Sequence, residues 1–172
     1  MITLRPIGNV DPRVLEGLRQ ALDVFPGGAQ VGPPAELPAK ALNEKRGQHQ
    51  ASEIIYSLNR SPHRGDRVLG VVTVDLYSPG ANFVFGQAAP GLQVAVISLA
   101  RLRPEFYGQP PQPELLLERA SREAVHEVGH LYSLGHCRDP RCVMAFSNTL
   151  EDTDRKGQAF CVRCQKKIKG NG

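Results

Sequence analysis

Apolar positions recur along this chain with two different periods, and the change of period marks out the elements. The opening hexapeptide, Ile2-Thr3-Leu4-Arg5-Pro6-Ile7, reads as a short strand. Asp11-Pro12 then starts a helix, with proline in the first turn where it is tolerated. Val14, Leu15, Leu18, Ala21, Leu22 and Phe25 line one face at helical spacing. Pro26-Gly27-Gly28 stops that helix, a strand follows around Ala29–Val31, and Pro33-Pro34 turns the chain. The segment Ala39–Gln50 is polar and basic and carries weak local signals. Ile54, Ile55 and Leu58 give a second helix, Ala51–Asn59, its apolar stripe. Three runs then read as strands: Asp66–Tyr77, apolar enough to be buried on both faces, Asn82–Ala88 and Leu92–Leu99. The connections between them are short, so at least part of the sheet is expected to be antiparallel.

From Pro113 the period changes again. ELLLERASREAVHEVGHLY predicts one long helix, with Leu115, Leu116, Ala120, Ala124 and Val128 near one face. Beyond Tyr132 the only candidate element is a short helix near the cysteines. The expected fold is therefore α+β: a mixed, twisted sheet backed by helices, carried by residues 1–132, with a small metal-stapled C-terminal part over 133–172. At 172 residues the whole fits one domain. With 41% apolar and 22% charged residues the composition is that of an ordinary soluble protein. No run approaches the roughly 18 apolar residues of a membrane helix. MITLRPIGNV has no secretion-signal pattern, so a cytoplasmic protein is the default expectation.

The chemistry is concentrated in HEVGHLYSLGHC, from His126 to Cys137. His126 and His130 fall at i and i+4, one above the other on a helix face, where two imidazoles can share one zinc ion. Glu127 then projects beside the metal, in reach of a bound water. His136 lies six residues further on, and a continued helix would carry it about 9 Å along the axis and away from that face. The helix must break just after Tyr132. The usual form of this motif, H-E-x-x-H-x-x-G-x-x-H, has glycine at the break; here the position is Ser133. A left-handed serine costs roughly 1 kcal/mol more than glycine, a strain that metal binding, on the order of 10 kcal/mol, easily holds. Three neutral imidazoles leave zinc one open position, the mark of a catalytic site.

Cys137, Cys142, Cys161 and Cys164 form two close pairs, C-x4-C and C-x2-C, the spacing of a tetrahedral four-cysteine zinc site. Two disulfides are the alternative, disfavoured because nothing points to an oxidising compartment. After Asp154 the chain has Arg155, Lys156, Arg163, Lys166, Lys167 and Lys169 and no acid. This is either a nucleic-acid footprint or a solvated tail that offsets four thiolates. With Phe160 the only aromatic among these cations, the second reading is preferred. His49 and His63 are expected to face solvent, Asp75 to make strand-end hydrogen bonds, and Asp154 to have no assigned role.

HEVGHLYSLGHC, the following Cys142-Val143-Met144, the closing Cys161-Val162-Arg163-Cys164 and the upstream RVLGVVTVDLY, NFVFGQA and VAVISLARL together resemble the archaemetzincins, a branch of the metzincin zinc peptidases. The resemblance covers most of the chain from about Asp66. It implies that His126, His130 and His136 hold a catalytic zinc, with Glu127 as general base and acid. It also implies that Met144 forms an apolar floor beneath the imidazoles, that Cys137, Cys142, Cys161 and Cys164 bind a second, structural zinc, and that Asn82–Ala88 is the edge strand over which a peptide lies. The expected protein is a monomeric zinc metallopeptidase with two zinc ions and a peptide or protein substrate, without nucleic-acid or membrane partners. Two alternatives stay open: a non-cleaving peptide-binding protein that retains the zinc site, and a zinc-knuckle nucleic-acid module.

Overall fold

Strand β1 (Ile2–Ile7) is an inner strand of the main sheet in the computed structural model, which describes residues 1–60 and 67–170. His63 and the first residue of the expected Asp66–Tyr77 strand lie outside the described residues. Helix α1 (Pro12–Ala21) follows, capped by the Asp11 carboxylate, which accepts from the Arg13 backbone N–H at 2.8 Å. Strand β2 (Ala29–Val31) then pairs with β1. The Pro33-Pro34 turn is tied back to β1 by the buried Arg5, whose Nε donates to Pro33 O at 2.6 Å. A small hairpin, β3 (Leu42–Asn43) and β4 (Gln48–Gln50), occupies the segment whose sequence was weakest, and leads directly into α2 (Ala51–Asn59).

Strands β5 (Arg67–Val72), β6 (Leu76–Tyr77), β7 (Gly86–Ala89) and β8 (Val94–Ser98) precede the long helix α3 (Pro113–Leu131). The main sheet runs β2-β1-β5-β8-β7, parallel throughout except for the antiparallel edge strand β7. Residues in the central strands point alternately to two cores. Leu69, Val71, Ala95 and Ile97 meet α1, α3 and the C-terminal segment. Val68, Val72, Val94 and Val96 meet Ile54, Ile55 and Leu58 of α2. The mixed sheet is thus covered by helices on both faces, as expected.

Two strand boundaries differ from expectation. Asp66–Tyr77 is not one strand: the chain leaves the main sheet after Val72, and Leu76–Tyr77 joins β4 in a second, three-stranded sheet. Asp75 sits at the bend in a bidentate ion pair with Arg101, both oxygens at 2.8 Å, which the regular interior of a strand would not accommodate. Asn82–Ala88 likewise shortens to Gly86–Ala89, because Phe83 and Phe85 pack against each other in an irregular loop.

At the C-terminus, α4 (Leu150–Arg155) and α5 (Val162–Gly170) are found where one helix was expected. Helix α4 has only six residues, too few to show a period, but Thr149 and Asp152 close a capping box at its start. Met144, Cys142, Cys164 and Ile168 share the core that holds α1 and α3. Tyr132, at the end of α3, lies between the Arg67 guanidinium, 3.7 Å from its ring centre, and the Phe25 ring at 4.8 Å. Phe160 packs edge-on against Phe25 from the cysteine segment. Among the described residues no helix is long and apolar enough to cross a membrane.

Helix α4 is fastened to α3 by two ion pairs, one of them buried on both sides. Arg119 makes a bidentate pair with Asp154, at 2.8 and 2.7 Å, and donates to Leu102 O. Glu123 Oε1 accepts from Thr153 Oγ1 at 3.0 Å and faces Lys156 Nζ at 3.0 Å. Lys156 is therefore not one of the tail's solvated cations: it is 2% exposed, and its ammonium makes no hydrogen bond of good geometry beside that ion pair. Asp154, given no role from sequence, is half of the other latch. Removing one partner of a buried pair strands its counter-charge, which costs about 3–5 kcal/mol. Lys156→Met should destabilise the protein by that order in urea unfolding. The double variant Glu123→Gln/Lys156→Met should recover most of the loss.

Candidate metal centres and cleft

Helix α3 carries Glu123, His126, Glu127 and His130, and its termination brings in the third histidine. Ser133 stands at φ +62°, in the left-handed region. Its N–H donates to His130 O at 2.9 Å, and the Leu134 N–H reaches back to Gly129 O at 3.1 Å. These two bonds make a Schellman motif, with serine at the place glycine normally holds. Leu134 O, aimed back by the turn, accepts from His130 Nδ1 at 2.7 Å, and Val143 O accepts from His126 Nδ1 at 2.9 Å. A carbonyl can only accept, so each Nδ1 carries the proton and each Nε2 presents a lone pair.

The two Nε2 atoms stand 3.1 Å apart, and His136 completes a set in which one ligand atom from each ring lies within 4.8 Å of the others. Two lone pairs facing at that distance repel unless a cation lies between them. Burial, followed by the positive charge of Lys156, pushes the His126 pKa down to about 3; burial also lowers those of His130 and His136. All three are thus neutral near pH 7, as metal ligation requires. Beneath them Met144 Sδ and Cε occupy the space that a side chain at Gly129 would need.

Cys137, Cys142, Cys161 and Cys164 form a second group whose sulfurs also converge within 4.8 Å, with none joined in a disulfide. Cys161 is brought down to about 7, chiefly by the Cys164 backbone N–H, whereas burial pushes Cys164 up. The two groups share one strip of backbone. Cys142 offers a sulfur, Val143 a carbonyl to His126, and Met144 a side chain under Gly129 and a carbonyl to the Cys137 N–H at 2.8 Å.

The histidines open onto a cleft of about 770 Å³. One wall is β7 with the preceding loop, including Phe83 and Phe85; the opposite lip is His136 with Phe146, whose rings lie 5.0 Å apart. Glu127 is 7% exposed and fits under β7 because residue 86 is glycine: a Cβ there would lie 2.7 Å from Glu127 Cγ. Burial first, then the charge of Glu123, pushes the Glu127 carboxyl up to about 8, with Lys156 opposing. A cation held by the imidazoles would pull it back down.

The profile of peptidase family M54 matches residues 25–170. The chain belongs to peptidase family M54. It is 43% identical to the archaemetzincin of Methanocaldococcus jannaschii over 171 residues, covering 99% of this chain and 94% of that protein. The Pyrococcus furiosus archaemetzincin is 44% identical, with 98% and 92% covered. The crystal structure of the Methanopyrus kandleri archaemetzincin superposes with a TM-score of 0.88 at 38% identity, covering 99% of this chain and 94% of that one. A zinc-dependent peptidase from Methanocorpusculum labreanum gives 0.90 at 29% identity, over 98% and 100%. The archaemetzincin resemblance of the sequence is therefore correct.

Within this M54 chain, several residues around the cleft had no sequence signal. Glu123 lines the cleft one turn before Glu127, and its partner Lys156 is 33 residues away in the chain. Arg46 Nη2 donates to Ala81 O and Asn82 O, both at 2.9 Å, while the Arg101 guanidinium lies over the Phe83 ring. Together with the Asp75–Arg101 pair they fasten the loop that forms the upper wall. His49 departs from its expected solvent-facing position: it pairs in β4 between β3 and β6, its Nδ1 is enclosed, and burial lowers its pKa.

Two substitutions test this geometry. Ser133→Gly should stabilise the fold by up to about 1 kcal/mol, since only the left-handed strain is relieved, and a thermal melt measures it. Gly86→Ala should cost about 1–3 kcal/mol, because the new Cβ meets Val96 O at 2.9 Å as well as Glu127. Unfolding midpoints check the cost.

Proposed function

We propose that the chain is a zinc-dependent peptidase in which His126, His130 and His136 hold the catalytic zinc and Cys137, Cys142, Cys161 and Cys164 hold a structural one. The observation that carries this reading is the pair of opposed Nε2 lone pairs, 3.1 Å apart on the floor of a cleft and beside a buried carboxylate. The four sulfurs suit a closed tetrahedral site, and the three imidazoles suit an open one. Residues 133–172 then form a small subdomain stapled by the second metal and seated on the N-terminal part, 1–132.

Zinc bound at the histidines supplies Lewis acidity for a peptide carbonyl and lowers the pKa of water toward ~7. The remaining steps belong to the chain. Strand β7, at the edge of its sheet, offers unpaired backbone groups along which a peptide can lie extended. Phe83 and Phe85 beside it and Phe146 on the opposite lip make the cleft walls apolar. Glu127 takes the proton of the attacking water on a carboxylate oxygen and returns it to the leaving amine. Gly86 holds that carboxylate against the strand on which the substrate lies, so base and carbonyl are set by one piece of backbone. The Nδ1 bonds to Val143 O and Leu134 O keep two of the rings from turning.

Elemental analysis should find two zinc ions per chain, and a strong chelator should remove the three-histidine ion first, through its open position. Glu127→Ala should keep both ions and lose about 10²–10⁴ in the rate of peptide hydrolysis. Equal hydrolysis by variant and parent would trace the activity to a contaminant. Peptide binding without hydrolysis by either would instead support a non-cleaving binder.

A further inference from the structure

A second cavity, of about 270 Å³, lies beside the cleft, and Leu134, Gly135 and His136 line both. The new walls are contributed by Arg138, Arg163 and Lys167, with Cys137 and Cys164 behind them. Resting on the peptidase reading above, we propose that this cavity is a carboxylate subsite of the peptide cleft. It takes an acidic side chain of the substrate or its free C-terminal carboxylate.

The cations are the first argument. Elsewhere Arg13, Arg19, Arg101, Arg119, Arg122, Arg155, Lys40 and Lys156 each face a carboxylate within 4 Å. Scattered exposed cations such as Lys45, Arg60 and Arg141 face none among the described residues; what sets the cavity apart is that three such cations converge on one space. Among the described residues Arg138, Arg163 and Lys167 have no such partner, and all three are exposed. No acid follows Asp154 in the chain. Asp139, the one acid between Ser133 and Asn148, turns an oxygen to the Arg141 backbone N–H at 3.0 Å.

The placement is the second. Arg163 and Lys167 stand at i and i+4 on α5, on the face that lines the cavity. Like charges at that spacing destabilise an isolated helix by roughly 0.2–0.5 kcal/mol, so folding alone does not favour them. A zinc ion with four thiolates carries a formal charge of −2 and offsets part of the field. Three cations at the cavity, with Lys166 and Lys169 on the same helix, leave a positive surplus. A carboxylate entering here would sit one residue beyond His136, beside the reacting centre rather than in it.

The test is binding of fluorescein-labelled hexapeptides to zinc-loaded Glu127→Ala protein, which leaves them uncut, read by fluorescence anisotropy. Each peptide is offered as free acid and as C-terminal amide, and with Asp or Asn at each position in turn. At about 50 mM salt at least one acidic form should bind about 3–10-fold more tightly than its neutral counterpart, as partly exposed charge pairs do. Loss on amidation identifies the C-terminal carboxylate, and loss on Asp-to-Asn exchange identifies a side chain. Adding Arg163→Gln and Lys167→Gln should abolish the difference and leave neutral-peptide affinity and zinc content unchanged. Equal affinities in the parent, a preference that survives both substitutions, or loss of zinc from the doubly substituted protein would each overturn the subsite; the last would make these cations counter-ions of the thiolates. Hydrolysis by the Glu127-containing protein is scored separately. A carboxylate preference without any hydrolysis would retain the subsite and sink the peptidase reading, and hydrolysis without preference would do the reverse.

Discussion

The reversal of the chain after α3 is the constraint on which the rest of the site depends. A helix can place two histidines on one face, but not a third six residues later. The Schellman turn at Ser133 solves this with two backbone bonds, to His130 O and Gly129 O, and its product, the Leu134 carbonyl, is what fixes the His130 ring. The turn therefore does two jobs: it returns the chain toward the imidazoles, and it sets the tautomer of one of them. Val143 O does the same for His126 from the other side, and it can do so only because Cys142 and Met144 are anchored in the core on either side of it. Sulfur cluster and histidine cluster are consequently joined through the loop of residues 137–144, and neither is an appendage of the other.

Charge holds that loop where it is. Apolar contact would seat a six-residue α4 loosely, since short helices bury little. Arg119–Asp154 and Glu123–Lys156 instead fix its angle and depth on α3, at the expense of one desolvated ion pair, Glu123–Lys156, while Asp154 stays open to solvent. Both acceptor arrangements are directional, and one ends on a residue that lines the cleft. The electrostatic surroundings of Glu127 are in this way partly made by a lysine from another element.

Local chemistry was legible in the sequence wherever a single element or a short loop carries it. The helix faces of α1, α2 and α3 follow from residue spacing, and the histidine and cysteine groups that the fold draws together follow from motif spacing, as does the strain at Ser133. Strand ends were not legible at Val72 and Gly86, because Val74, Leu76 and Tyr77 keep the pattern apolar after the chain has left the sheet, and Phe83, Val84 and Phe85 do so before it rejoins. What decides those ends is contact off the sheet: Asp75 meets Arg101 across 26 residues, and Phe83 packs against Phe85. Lys156 was misread for the same reason: in sequence it is one cation among six, and only the fold brings it to Glu123. Pairings between distant segments leave no periodic trace.

Gly86 has a further consequence. The strand that would receive a peptide is pressed against the side chain that would move its proton, with no room for a methyl group between them. Residues 86 and 127 thus behave as one mechanical unit. A peptide hydrogen-bonded along β7 would damp the motion of that strand and, through it, the excursions of the Glu127 carboxylate. Occupancy of the cleft and order at its base then become linked quantities, and substrate binding would do part of the preorganising. The same contact narrows the substitutions open to the fold: a side chain at 86 would meet the Val96 carbonyl as well as Glu127, so a shorter acid at 127 would not by itself make room and the position is held to glycine.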